Sequence, residues 1–434
     1  MILDIITNME DMYMKKFLIC SLILLATLTC AFANAASESS SANGTPSGTV
    51  TMWTFPITGN DQEMMAEMVE EFNKIYPDIT VDVQVLPWSG RYEKMLTAVA
   101  GGNPPNVVYL NDFQICLFAE TDNLVDMREV FSEDEIALYK SGALETASVN
   151  GKLYGIPVLL NSLGYFYNVD LFEEAGLDPN NPPQTWNELL DAIKKLTKYD
   201  ANGNVIQYGV SFNLNRPSPA TSILPLIWQA GGDILDEEGN VIIDSAETRE
   251  ALSFIKSLFD NGYAQKANIT GGGIKFSSGN IGIDLQKEPN EIKKTALENP
   301  DLNFMVGPIL SNKTKVGYVS CGTYAMFKGA KNNEAAKLWL RFIANNENVT
   351  KVLAGGGFAS PKKNLPESSY ITDSRSIAMA AQSEWATKTA PMNAHYSEIL
   401  AACGASFNAI ILGEKDMDKG LRELSQQLTQ IMSN

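Results

Sequence analysis

The chain has 434 residues, one histidine, five cysteines and a formal net charge of −18, with 45% hydrophobic and 19% charged residues. This length exceeds the roughly 250–300 residues at which a single hydrophobic core stops growing, so two lobes are expected. The acidic balance argues against nucleic acid and anionic membrane surfaces as partners, and the lone His395 excludes multi-histidine zinc sites and any serine–histidine–aspartate arrangement not built on that residue.

The first 35 residues combine Lys15-Lys16, an apolar run from Phe17 to Leu28 and the small-residue site Ala33-Asn34-Ala35, with Met14 as an alternative initiator. These are the three parts of a secretory signal peptide, with an apolar run too short for a membrane span. Cleavage after Ala35 is expected and puts the mature protein outside the cytoplasm. The alternative is lipidation at Cys30, behind Thr27-Leu28-Thr29. The Ser/Ala/Gly-rich stretch 36–48 reads as a disordered tether in either case.

Beyond Gly48, short apolar strands alternate with amphipathic helices, which predicts an α/β fold with a largely parallel sheet. A strand is expected from Thr49 to Phe55. The next helix buries Met64, Met65, Met68, Val69 and Phe72 and stops before Pro77. A strand from Ile79 to Val85, a helix from Tyr92 to Ala100 and a strand from Val107 to Leu110 complete a βαβαβ unit. Ligands bind beyond the carboxyl ends of such strands, which puts Thr54, Phe55, Asn111 and Asp112 at one candidate mouth. Further on, Thr185-x-x-Glu188 is a capping box, and Asp244-x-x-Glu247 opens a helix closed by Gly262. Asn333 opens a helix with Leu338, Trp339, Phe342 and Ile343 inward, and Met417, Leu421, Leu424, Leu428 and Met432 mark the last helix.

Signatures of reaction chemistry are missing. The sequence has no G-x-S-x-G, Walker A, G-x-G-x-x-G or C-x-x-C, and Gly271-Gly272-Gly273 reads as a flexible turn. With 51 acidic residues, a glycosidase-like carboxylate pair stays open at this point. Outside the signal region, Cys116, Cys321 and Cys403 are an odd, widely spaced set, read as buried small hydrophobes with one bridge as the alternative. No catalytic residue, metal site or cofactor is expected.

Several stretches together resemble the family 1 extracellular solute-binding proteins, the maltose-binding-protein-like receptors of ABC importers. They are VTMWTF at 50–55, EEFNKIYPDITVDV at 70–83, AVAGGNPPNVVYL at 98–110, NGKLYGIPVLLNSLGYFYNVDLFEEAG at 150–176 and PPQTWNELLDAIKKLTK at 182–198. QAGGDILD at 229–236, FSSGNIGI at 276–283 and GYVSCGTYAMFKGAKNNEAAKLWLRFI at 317–343 follow in the same order. The resemblance covers nearly all of the mature chain. It implies a type II periplasmic binding protein fold: two α/β lobes, hinge-linked, closing over a ligand in a central cleft. The first lobe is expected at 49–159 and 317–356, and the second at 160–316 and 357–434. Crossings are expected near Leu159 to Asn161, Val316 to Ser320 and Gly355 to Ser360, the last with Gly355-Gly356-Gly357 as a hinge.

By the same resemblance the ligand is a mono- or short oligosaccharide, delivered to the permease subunits of the importer by a monomeric protein. The membrane is met only through permease docking or a lipid anchor. Sugars are gripped by aromatic faces and by planar amide, carboxylate or guanidinium groups. Matching positions nominate Phe55, Asn111, Asp112 and Asn161 from the first lobe. Arg216, Ser222, Trp228 and Gln286 follow from the second, with Gly356 and Phe358 at the last crossing. Trp88 is held between covering the cleft and capping the first lobe. Trp53, Trp339 and Trp385 are expected in packing, and His395 in a capping or solvated role. Polar residues at Gln286-Lys287-Glu288-Pro289, where many relatives have a tryptophan, favour a short ligand. The alternatives are a non-sugar ligand such as a phosphorylated polyol or an opine, a secreted glycan-processing enzyme, and a sensor docking on a chemoreceptor.

Overall fold

A computed structural model describes residues 46–215, 219–390, 393 and 395–433, the side chain of residue 113 excepted. The expected signal peptide, nearly all of the expected tether, and Arg216 lie outside the described residues. The chain opens with β1 (Gly48–Thr54), α1 (Asp61–Ile75), β2 (Ile79–Val85), α2 (Arg91–Ala100), β3 (Val107–Asn111) and α3 (Asp112–Glu120). β1 pairs in parallel with β2 on one side and β3 on the other, which is the βαβαβ unit the alternating pattern predicts. Met64, Met65, Met68 and Phe72 of α1 are buried, as their helical spacing requires.

Next come β4 (Ile156–Ser162), β5 (Gly164–Asn168), α4 (Trp186–Leu196), β6 (Val205–Ser211), α5 (Pro219–Gln229) and α6 (Ala246–Asp260). They are followed by β7 (Ile281–Lys287), α7 (Asn290–Glu298), β8 (Phe304–Gly307), β9 (Gly317–Met326), α8 (Asn333–Ile343) and α9 (Asn346–Gly356). The chain ends with α10 (Ser374–Ala381), β10 (Ala386–Lys388), α11 (Tyr396–Leu412) and α12 (Met417–Met432).

Two sheets organise these elements. One runs β10-β9-β3-β1-β2 with β4 also on β9, and the other runs β8-β5-β7-β6 and ends on the short strand Lys198–Tyr199. Leu163 alone separates β4 of the first sheet from β5 of the second, so the chain changes sheet there, two residues beyond Asn161. It returns through 308–316, and β9 then pairs antiparallel with both β3 and β4. Each sheet has its own core: Met52, Phe55, Phe72, Tyr109 and Trp339 under the first, and Trp186, Leu189, Phe212, Ile227 and Phe407 under the second.

Local signals behave as their chemistry dictates, with two corrections. Thr185 and Glu188 form the expected capping box, Glu188 N donating to Thr185 Oγ1 at 3.3 Å and Thr185 N to Glu188 Oε2 at 3.0 Å. The cap of α6 is not Asp244 but Ser245, whose hydroxyl accepts from Thr248 N at 3.1 Å, while the Asp244 carboxylate is taken up by Arg249 at 2.5 Å. The triple glycine is a helix end rather than a loose hinge. Gly355 and Gly356 lie in the last turn of α9, and Gly357 is its left-handed cap at φ 68°. The segment after it, expected with the second lobe, carries Phe358 and Leu365 into the first core, and Ala359 bridges to Leu160 of β4.

Cys116, Cys321 and Cys403 are free and buried, and burial pushes each thiol up to about 12. Among the described residues no helix is long and apolar enough to cross a membrane.

Candidate functional site

A cleft of about 940 Å³ opens beyond the carboxyl ends of β2 and β3 and extends to residues of the second sheet and its helices. On the first-sheet side it is lined by Trp88, Arg91, Tyr109, Asn111 and Gln114. Trp88 stands in the loop after β2, its indole N–H donating to Pro56 O at 3.1 Å and its ring stacked on Phe55 at 5.1 Å and 22°. The Arg91 guanidinium lies 4.5 Å from the Trp88 ring centroid and 5.3 Å from that of Phe55. Tyr109 meets both rings edge-on, at 6.3 Å to Phe55 and 6.2 Å to Trp88. Asn111 ends β3 and caps α3, donating its backbone N–H to Gln114 Oε1 at 3.1 Å. That bond fixes Gln114 with its amide nitrogen left over.

The floor comes from the paired strands β4 and β9. Leu159 and Asn161 line it from β4, Tyr318 and Ser320 from β9, with Asn161 and Ser320 opposite each other in register. The Tyr318 ring is parallel to Trp228 at 6.4 Å and 2°, and burial raises its phenol well above the ordinary range. Thr221 of α5, Glu288 and Asn290 at the start of α7, Ser397 of α11 and Phe358 after α9 complete the lining.

Four side chains lining the cleft each leave a buried polar atom without a hydrogen-bond partner: Arg91 Nη1, Gln114 Nε2, Asn161 Oδ1 and Asn290 Oδ1. Each such atom costs on the order of 1–3 kcal/mol in a folded protein, so four in one place mark a surface built to be satisfied from outside the chain. Two donors and two acceptors, beside the faces of Trp88, Tyr109 and Tyr318, suit a ligand that both donates and accepts through hydroxyls. Among the described residues no cluster of three histidine, cysteine or carboxylate groups could hold a metal ion.

Of the residues nominated from the sequence, Asn111, Asn161 and Phe358 meet at this cleft. Phe55 does not line it. Its ring is fully buried and supports Trp88 from behind, because the strand ends one residue earlier than expected and turns Phe55 into the core. The Asp112 carboxylate is buried and accepts from Thr389 Oγ1 at 2.9 Å. Ser222 is fully buried on the inner face of α5, while its neighbour Thr221 reaches the cleft. Trp228 is core, its indole N–H committed to Asp233 Oδ1 at 3.0 Å. Gln286 sits at φ 57° in the bulge that ends β7 and lines a smaller hollow with Leu163 and Gly164. Gly356 lies beneath Phe358. Trp53 is half-buried under Lys94, Trp339 is core, and Trp385 is exposed beneath Lys315.

Arg91, Tyr109, Gln114, Tyr318 and Asn290 were not among the nominated residues. Tyr109 and Tyr318 lie inside apolar strands and read as core. Gln114 carried a usable signal as the third residue of a helix whose cap is an asparagine. Arg91 carried another, a cation in the first turn of a helix, where the dipole disfavours it.

The family model for bacterial extracellular solute-binding proteins matches residues 57–350. A binding protein of Brucella abortus is 23% identical over 404 residues, spanning 90% of this chain and 95% of the relative. The arabinooligosaccharide-binding protein of Bacillus subtilis is 27% identical over 253 residues, 57% of this chain and 55% of that one. Among solved structures, an ABC substrate-binding protein of Listeria monocytogenes in complex with cycloalternan superposes with a TM-score of 0.76 at 22% identity, covering 89% of this chain and 99% of that chain. The two-lobed fold is thus shared with a receptor of known architecture, and the match of the family model over most of the chain gives its membership: this chain belongs to the bacterial extracellular solute-binding proteins.

Proposed function

We propose that this protein is the extracytoplasmic receptor of an ABC importer, which binds a mono- or short oligosaccharide between two lobes and delivers it to the permease subunits. The observation that carries this reading is the set of four unpartnered polar atoms gathered beside the aromatic rings of Trp88, Tyr109 and Tyr318 in one cleft. The saccharides named for the Bacillus and Listeria relatives support it. Asn111, Asn161 and Phe358 are proposed contacts, joined by Trp88, Arg91, Tyr109, Gln114, Tyr318 and Asn290. Phe55 and Gly356 act through the ring each supports.

The lobes follow the sheets, except that β10, paired with β9 at the edge of the first sheet, is carried with the second lobe. The first takes 49–162 and 317–372, the second 164–316 and 373–433, and Leu163, 308–316 and the residues near 372 form the hinge. A ligand touching both walls binds the closed arrangement better, and this differential affinity drives closure. The protein performs no chemistry on its ligand, in contrast to a glycan-processing enzyme, which would convert it on long incubation. Export by the signal peptide with cleavage after Ala35 gives a free receptor, and lipidation at Cys30 an anchored one. The mass of the mature N-terminus distinguishes them.

Thermal unfolding against mono-, di- and trisaccharides and polyols tests the receptor reading. A ligand at 100 times its Kd adds about 2.7 kcal/mol of stability, a shift of a few degrees. A saturable shift with one saccharide supports the reading, and a flat response across every sugar, neutral or acidic, overturns it.

A further inference from the structure

Arg91 is placed against two general rules. It is the first residue of α2, where the unpaired backbone N–H groups already concentrate positive charge, and the cap residue Gly90 offers no side chain to neutralise them. It is also largely removed from solvent without a carboxylate. Burial lowers its pKa, against the opposing influence of the tyrosines Tyr109 and Tyr396. Among the described residues it makes no ion pair, although Glu93 and Glu288 line the same cleft. Its guanidinium lies beside the Trp88 and Phe55 rings, 4.5 and 5.3 Å from their centroids, and its buried Nη1 has no hydrogen-bond partner.

A second side chain in the same wall points to the same chemistry. Gln114 is fully buried, its carbonyl oxygen is held by Asn111 N at 3.1 Å, and its amide nitrogen is an unpartnered donor in the cleft. Arg91 and Gln114 thus give this wall two unpartnered donors. A neutral hydroxyl can accept from either and place its own proton on Asn161 or Asn290, whereas a charged acceptor strengthens both bonds. An anionic oxygen pair is matched to these donors, since Arg grips planar carboxylates and phosphates through parallel N–H bonds. The acceptors Asn161 Oδ1 and Asn290 Oδ1 remain for hydroxyl protons.

Resting on the saccharide-receptor reading, we infer that the ligand is a polyhydroxylated molecule with an anionic group, which docks on Arg91 and Gln114 while its hydroxyls are read by Asn161 and Asn290. The anion can be a carboxylate, as in a uronic acid residue, or a phosphate ester, and the two are separated by titration.

Calorimetric titration of the purified protein with matched probes decides it: digalacturonate against the neutral disaccharide of the same linkage, and glycerol 3-phosphate against glycerol. The acidic member of one pair is expected to bind about tenfold or more tighter than its neutral counterpart, with affinity falling as salt rises. In Arg91→Met that advantage disappears, and Arg91→Lys restores part of it. Preference for digalacturonate assigns a uronate, and preference for glycerol 3-phosphate assigns a phosphate. The comparison in the unmodified protein needs no variant to fold. If in both pairs the neutral member binds as tightly as its acidic partner or tighter, the inference falls and the sugar receptor stands. If no probe of either series and no saccharide in the thermal panel binds, the receptor reading itself falls.

Discussion

Gly356 and Phe358 are fitted to each other so closely that a Cβ on the glycine would lie 2.0 Å from Cε2 of the phenylalanine ring. Gly356 closes α9, and the left-handed cap at Gly357 turns the chain so that the Phe358 ring folds back over the helix end and faces the cleft. The glycine is therefore required by a side chain two residues away. Gly356→Ala would have to displace that ring. The expected result is a stability loss of about 1–3 kcal/mol from overpacking, together with weaker ligand binding, whereas Gly355→Ala meets only the side chain of Thr58, at 2.9 Å, and leaves Phe358 in place. Urea unfolding and ligand titration of the two variants check this. Equal binding by both would sever the link between Gly356 and the site.

Phe55 and Trp88 divide one aromatic stack into a structural half and a contacting half. Phe55 is wholly buried, and Trp88 is 43% exposed at the cleft. Phe55→Ala is expected to cost about 3–5 kcal/mol of stability. Trp88→Ala should cost less than about 1 kcal/mol of stability but roughly 1–2 kcal/mol of binding, by removing the ring face against which a ligand packs. Unfolding midpoints and Kd values for the pair measure the split, and a Trp88→Ala protein with unchanged affinity would remove the indole from the site.

The limits of sequence reading show in this same stack. β2 and the capping box at Thr185 were legible because they depend on local periodicity and on a side chain three residues from its partner. Asn111 and Phe358 were legible as residues that reach the cleft because one ends a strand and the other follows a glycine cap. Phe55 and Trp228 were misplaced because an aromatic at the end of an apolar run looks the same whether it meets ligand or neighbour. What decided their places is distant in sequence: Trp88 over Phe55, and Tyr318 against Trp228. Tyr109 reads as core for the converse reason, as it is buried within a strand and still reaches the cleft. Asn161 and Ser320 meet only because β4 and β9 pair across a long stretch of intervening chain.

Lys287 stands in the bulge that ends β7, between Gln286 at the smaller hollow and Glu288 at the cleft. Its ammonium lies 3.1 Å from Asp284 and 2.6 Å from Glu291. Burial works against the charge, but the two carboxylates outweigh it and keep the lysine protonated beyond the ordinary range. Asp284 is itself buried, so Lys287→Met would strand a carboxylate without its counter-charge. A loss of about 3–5 kcal/mol is expected, while Glu291→Gln, at the more exposed end of the triad, should cost clearly less. Denaturant titrations of both variants test the ranking, and a mild effect at Lys287 would show that the triad does not support the bulge.

Lys362 ties the segment after Gly357 to the first lobe and should give the protein a measurable alkaline signature. Its ammonium donates to Ala344 O at 2.7 Å and to Asn346 Oδ1 at 3.0 Å, and sits 5.1 Å from the Tyr139 ring centroid, with only 6% of the residue exposed. Burial lowers its pKa to about 8, against an ordinary value of 10.5. Between these two values the unfolded chain holds a proton that the folded chain has released, so stability rises with pH across this window. The penalty of burying the cation is thus fully present below about pH 8 and is relieved as the pH climbs toward 10.5. In Lys362→Met the group is gone and this rise goes with it. The difference in unfolding free energy between the native protein and the variant should move in favour of the native protein from pH 7.5 to pH 10, about 1.4 kcal/mol for each pH unit fully inside the window as an upper bound. Chemical denaturation at three pH values measures that slope. Parallel profiles would mean that Lys362 keeps an ordinary pKa, and that its two hydrogen bonds already offset its burial.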